Sequence, residues 1–167
     1  MSKSFSLSRR SGLVFGLCAI LTLAACARAP DADPGGLSLG VTSRAAAGTT
    51  QDFVVSVGDR VFFETDSPTL TTQARATLDR QAEWLNRYTQ FSITMEGHAD
   101  ERGTREYNIA LGARRATAAR DYLMSRGVGG NRVRTISFGK ERPVAVCNDI
   151  SCWSQNRRAV TVLGGAG

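Results

Sequence analysis

The chain has 167 residues, of which 7% are aromatic and 22% charged, and a formal net charge of +6. That length suits one ordinary globular domain and not two. Half of the excess charge comes from Lys3, Arg9 and Arg10, and no stretch interleaves basic residues with stacking aromatics, so nothing supports a nucleic-acid partner.

Residues 1–25 combine a basic start with an apolar run from Gly12 to Leu23. The run is shorter than the ~20 residues a membrane span needs and has the anatomy of a secretory signal. Its end, Leu23-Ala24-Ala25-Cys26, resembles the bacterial lipobox. The resemblance implies that Cys26 becomes the mature N-terminus and carries acyl chains. Position 27 is alanine, not aspartate, which in such lipoproteins implies sorting to the outer membrane. One acyl chain binds a membrane only marginally, at ~0.8 kcal/mol per buried methylene, so several are needed for a lasting anchor. The alternative is an ordinary signal cleaved near a chance cysteine. Residues 26–51 are rich in Ala, Gly, Pro, Ser, Thr and Asp with no apolar period. They read as a lipidated N-terminus and flexible tether with a typical reach of roughly 25–30 Å. A folded domain is expected over 52–167.

Within that domain, Phe53 to Phe63 is β-rich with a turn signal at Gly58-Asp59, which predicts a short strand or hairpin and then a strand at Arg60–Phe63. Leu70, Ala74, Leu78, Ala82 and Leu85 recur at helical spacing and predict a helix over Thr71–Tyr88, with Trp84 partly exposed or packed at its edge. Phe91–Glu96 alternates as a half-buried strand. Thr104 can cap a second helix that runs to about Ser125, where Gly127 ends it. Gly112, inside that helix, marks either a close backbone approach or a kink. Val133–Phe138 reads as a third strand, Val144–Asn156 as a loop, Arg158–Leu163 as the last strand and Gly164–Gly167 as a tail. The order strand-helix-strand-helix-strand-strand predicts an α+β fold, a mixed sheet with helices on one face.

Between the second strand and second helix lies the run Glu96-Gly97-His98-Ala99-Asp100-Glu101-Arg102-Gly103-Thr104, followed by Tyr107-Asn108, Leu111-Gly112 and Arg114-Arg115-Ala116. It resembles the peptidoglycan-binding domain shared by the OmpA C-terminus and the peptidoglycan-associated lipoproteins, and the intact His98–Thr104 string resembles the lipoproteins more. Phe62-Phe63-Glu64-x-Asp66 and Gln155-Asn156-Arg157-Arg158-Ala159 also match, with Glu64 in place of the more usual aspartate, so the likeness spans roughly residues 53–163. It implies a non-catalytic outer-membrane lipoprotein whose domain faces the periplasm. Such a protein holds peptidoglycan non-covalently and works with TolB and the other Tol proteins in envelope integrity and cell division. It also implies that Asp100 meets the ammonium and Arg115 the carboxylate of the diaminopimelate residue in the peptidoglycan stem peptide. Phe63, Glu64, Thr104, Asn108 and Leu111 would line the pocket. Arginine suits that task because its planar fork grips a carboxylate at two points. The plain alternative is that Asp100 and Arg115 pair with each other to tie loop to helix. Arg157 or Arg158 either approaches the ligand or pairs with the sheet end.

A muralytic enzyme is the competing class, since Asp100, Glu101, Glu106 and Glu64 offer carboxylates for glycosidic cleavage. Against it, none sits in an evident apolar pocket that would raise its pKa. No cofactor is expected. His98 is the only histidine and has no partner at ligand spacing, so a loop-ordering hydrogen bond is expected in place of a metal. Cys147 and Cys152 form a close pair. In an exported chain a disulfide is favoured over a metal site, and closing so small a loop contributes ~2 kcal/mol.

Overall fold

The computed structural model describes residues 45–166; the signal, Cys26 and most of the tether lie outside them. A four-stranded mixed sheet has the order β1-β4-β2-β3, where β1 is Arg60–Phe62, β2 Phe91–His98, β3 Val133–Gly139 and β4 Arg158–Ala166. β4 is antiparallel to both of its neighbours, and β2 and β3 are parallel. That parallel pair needs a crossover, which α3, Arg105–Ser125, supplies. α2, Thr72–Arg87, packs beside α3 on the same face. Ile93 and Met95 of β2 point into the core with Leu78, Ala82 and Leu85 of α2 and Ala116, Ala119 and Leu123 of α3. Phe62, Ile136 and Val162, on the opposite face of the sheet, remain exposed.

The helix ends follow their sequence signals. Thr71 and Thr104 accept from the backbone N–H of Ala74 and Tyr107, which satisfies donors that the first helical turn leaves unpaired. At the far end of α3, Gly127 takes φ 92°. Its N–H reaches Met124 O at 3.0 Å and that of Val128 reaches Leu123 O at 3.1 Å, the paired closure that a left-handed glycine permits.

Three expectations are corrected. Phe53–Val57 is a π-helical turn preceded by a single turn, α1, at Thr50–Asp52. Valine-rich composition favours a strand, but tertiary contacts override it. The Phe53 ring packs 5.0 Å from that of Trp84, Trp84 Nε1 donates to Asp52, and Gly58 O accepts from Gln81 at 2.6 Å. Val54 and Val55 face outward as a result, and Trp84 is buried instead of partly exposed. Second, the expected 144–156 loop contains α4, Ile150–Asn156. A helix so short is marginal alone. It is capped by Asp149, bridged by the Cys147–Cys152 disulfide with Cα atoms 5.6 Å apart, and tied down by Asn156, whose amide bonds Val144 and Ala145. Third, the expected tail is strand: Gly164 pairs with Ser92 and Ala166 with Phe91.

Gly112 marks a close approach. A Cβ built on it would lie 2.5 Å from Ser137 Oγ and 2.9 Å from Gly97 O, and one on Gly97 would lie 1.8 Å from Gly112 O. Helix propensity alone would make Gly112→Ala stabilising by ~1 kcal/mol. The contact reverses that sign: the variant is expected to unfold at lower urea concentration than the wild type, because α3 must move off the sheet. A higher midpoint would refute the close-packing account.

Candidate functional site

β2 ends at His98, and residues 99–104 turn into α3 over the end of the sheet. Ala99 N–H bonds Gly139 O at 2.8 Å, Lys140 Nζ bonds the carbonyls of Glu101 and Gly103, and Asn108 Nδ2 bonds those of Arg102 and Thr104. The loop is therefore held from both sides. It forms one wall of a cleft of about 260 Å³ whose other walls are Thr65 and Asp66 and the first turns of α3 at Tyr107, Asn108 and Leu111.

Of the residues expected at the site, Asp100, Asn108 and Leu111 line this cleft together. Thr104 is occupied as the α3 cap. Phe63 and Glu64 face a neighbouring cleft of about 330 Å³, shared with Thr71, Gln73 and Arg157. Arg115 lies behind both walls, 0% exposed. Its Nε donates to Ser67 O at 3.0 Å, one terminal nitrogen to His98 O at 2.9 Å and the other to Glu64 O at 3.0 Å. The Phe63 ring centre is 5.2 Å from its guanidinium carbon. Three of the five N–H groups that a guanidinium carries are thus committed to backbone.

Asp100 and Arg115 are not each other's partner. Asp100 takes Arg102 on both oxygens, at 2.7 Å and 3.2 Å, and the buried Arg157 at 3.4 Å. Arg157 also donates to Phe63 O, so it joins the site, whereas Arg158 turns to the carbonyls of Asn156 and Arg142. Burial pushes the Asp100 carboxyl up. The hydrogen bonds from the Arg102 side chain and backbone, with its charge and the bond from Arg157, outweigh this and hold it below the usual carboxylate range. Burial, reinforced by the charge of Arg157, lowers the Arg115 guanidinium to about 10, with Asp100 and Asp66 opposing. It stays charged at neutral pH.

Sequence reasoning missed Asp66, Arg102, Tyr107 and Trp153. Tyr107 hydrogen-bonds Asp66 across the cleft mouth; Asp66 is the one described non-glycine residue with positive φ, 54°, a conformation that aspartate tolerates better than most. Arg102 stands over the Trp153 ring at 4.2 Å, and Trp153 Nε1 bonds Glu101 at 3.0 Å. Arg102 was visible only as a neighbour of Asp100, and no local pattern links position 153 to it. Among the described residues, no three His, Cys, Asp or Glu side chains converge on a common point, and no helix is long and apolar enough to cross a membrane.

The expected hydrogen bond of His98 is corrected. Its ring is 2% exposed, stacks on Phe138 at 5.5 Å, and neither nitrogen has a hydrogen-bond partner. Only its backbone carbonyl serves the site, through Arg115. Glu96 lies 3.7 Å away, yet burial, with the charges of Arg158 and Arg142, lowers the ring to about 4, so it is neutral and the contact is no ion pair.

A mixed sheet with two long helices on one face and a polar cleft at the strand ends defines an OmpA-like α+β domain. The family model for the OmpA family matches residues 62–157. The chain is 64% identical over 160 residues to the peptidoglycan-associated lipoprotein of Rhizobium meliloti (strain 1021), covering 95% of this chain and 90% of that one. It is 58% identical over 159 residues to that of Brucella abortus biovar 1, covering 95% of each. Among solved structures it is similar to the peptidoglycan-associated lipoprotein from Burkholderia pseudomallei, with a TM-score of 0.62 and 43% identity over 64% of this chain and 90% of that one. The C-terminal domain of Helicobacter pylori MotB shares the fold, with a TM-score of 0.60 at 21% identity over 64% of this chain and 84% of that one. The chain belongs to the OmpA family and, within it, to the peptidoglycan-associated lipoproteins.

The buried neutral histidine makes the fold acid-sensitive with a definite sign. The folded ring has a pKa of about 4 against 6.5 when unfolded, so between those values the unfolded chain binds the extra proton. Stability is whole above pH 6.5 and falls as pH drops toward 4, by roughly 2 kcal/mol between pH 7 and 4.5 at ~1.4 kcal/mol per unit. His98→Phe keeps the stacked shape and should lose that share of the decline. Urea midpoints measured across this range check it, and parallel curves for the two proteins would count against it.

Proposed function

We propose that the chain is a non-catalytic lipoprotein that binds peptidoglycan through the diaminopimelate residue of the stem peptide. It is anchored in the outer membrane by acyl chains on Cys26, with its domain in the periplasm. It acts with the Tol proteins, TolB foremost, in envelope integrity and cell division. The names of its relatives support the association with peptidoglycan. The observation that carries the reading is the ionised Asp100 in a cleft with Asp66 opposite and Leu111 beside it. Two carboxylates suit an ammonium, and an apolar wall suits the methylenes of the ligand side chain. Arg115 serves the distal carboxylate with its two uncommitted N–H groups, which the ligand reaches when the Glu64–Ser67 loop yields. Phe63, Glu64, Thr104 and Asn108 shape the walls between.

Hydrolysis is disfavoured by the same electrostatics. A glycosidase needs a carboxylic acid whose pKa is raised so that it holds a proton, and Asp100 is shifted the other way.

Calorimetry with matched soluble muropeptides tests the reading. Asp100→Asn should weaken binding about ten- to a hundredfold, as loss of a charge-assisted hydrogen bond of ~1.5–3 kcal/mol implies. The wild type should prefer diaminopimelate over lysine at the third stem position, since lysine lacks the distal carboxylate, and Arg115→Ala should lose that preference. Arg115→Ala should also melt earlier, because three carbonyls each lose a charged donor. Equal wild-type affinity for both ligands would refute the carboxylate role, and release of reducing sugars from purified sacculi would refute the non-catalytic one. Cys26→Ser should leave the domain folded and release it from membranes once peptidoglycan is digested, as fractionation would show.

A further inference from the structure

The cleft already contains a cation. Arg102 places Nε 3.2 Å from Asp100 Oδ1 and a terminal nitrogen 2.7 Å from Oδ2, on the carboxylate that would receive a ligand ammonium. The Arg102 side chain is 41% exposed against 9% for that of Asp100, so it covers the acid from the solvent side. Arg157 approaches Oδ2 from the buried side and can keep the carboxylate paired if Arg102 leaves.

The surroundings allow the side chain to leave without moving the loop. The backbone of Arg102 is fixed at both ends, its N–H on Asp100 Oδ1 and its carbonyl on Asn108 Nδ2. Its guanidinium rests on the Trp153 ring, whose Nε1 holds the Glu101 carboxylate. A second acid therefore lies at the edge of the same ring. Trp153 sits on α4, next in sequence to Cys152 of the disulfide, so the ring is carried on a cross-linked segment.

We propose that Arg102 is a displaceable internal counter-ion that occupies the ammonium subsite of Asp100 until a cationic ligand exchanges with it, the guanidinium moving along Trp153 toward Glu101. The proposal rests on the ammonium-binding role of Asp100 argued above. It makes the site selective for cations that can replace an arginine, since a neutral group arriving there would leave both Asp100 and Arg102 less well satisfied than before. It also gives the disulfide-bridged segment a role at the cleft, as the support for the displaced side chain.

Affinity for a soluble diaminopimelate muropeptide, and for the same compound with its free side-chain amine acetylated, should be measured on wild type and Arg102→Gln, with circular dichroism to confirm folding. Removing the competitor should tighten binding of the amine form about two- to fivefold, the range for an exposed ion pair, and leave the acetylated form unchanged. Ligand should shift Trp153 emission in the wild type and not in Arg102→Gln, with Trp84 a constant buried background. Weaker or unchanged binding of the amine form by Arg102→Gln, beside a wild type that binds, would overturn the counter-ion role alone. No binding by either protein would overturn it together with the diaminopimelate reading.

Discussion

A single buried guanidinium joins the parts of this domain that form its cleft. Arg115 projects from α3 and donates to Glu64 and Ser67 on one loop and to His98 at the end of β2. Taking a charge out of water is expensive unless its hydrogen bonds are replaced, and here backbone carbonyls replace them. Two of those carbonyls, Glu64 and Ser67, lie in a loop and the third closes β2, so one side chain ties the loop to the strand end. The 63–67 loop, which separates the two clefts, is thus held by charge-assisted bonds from Arg115 and by the Phe63 ring buried in the core.

Asp100 completes the arrangement from the other side. Arg102, and after it Arg157, hold it as an anion that persists despite burial. The outcome is a cleft whose polarity is set in advance of any ligand. The Asp100 carboxylate in particular is ionised and placed beforehand, which spares binding the cost of ordering it.

The central elements were legible because their signals are local. The α2 stripe, the threonine caps and Gly127 each act within a turn or two of the chain, and the alternation through β2 states which face is inward. The turn at Phe53–Val57 was not, because its cause is a ring stacked on Trp84 and an amide from Gln81, both remote in sequence. Nor was α4, which owes its place to a disulfide and to Asn156. At the site, Asp100, Asn108 and Leu111 were found through family likeness, while the actual partner of Asp100 was not. A motif names residues, and which carboxylate meets which arginine is decided by three dimensions of packing. The sole histidine shows the same limit. An ordering hydrogen bond is the reasonable expectation for it, yet its ring serves as an aromatic filler and its backbone does the bonding.

The strand order has a kinetic consequence. β4 lies between β1 and β2, and among the described strands β1 has no other partner. Phe62 is paired with Arg158, so during synthesis β1 must wait for about a hundred further residues, a separation that slows the closing step of folding. The segment β2-α3-β3 is contiguous and can assemble early, but it exposes the edge of β2 until β4 arrives. A growing chain of this topology therefore stays open until its final described strand is available, and the whole sheet closes in one late step.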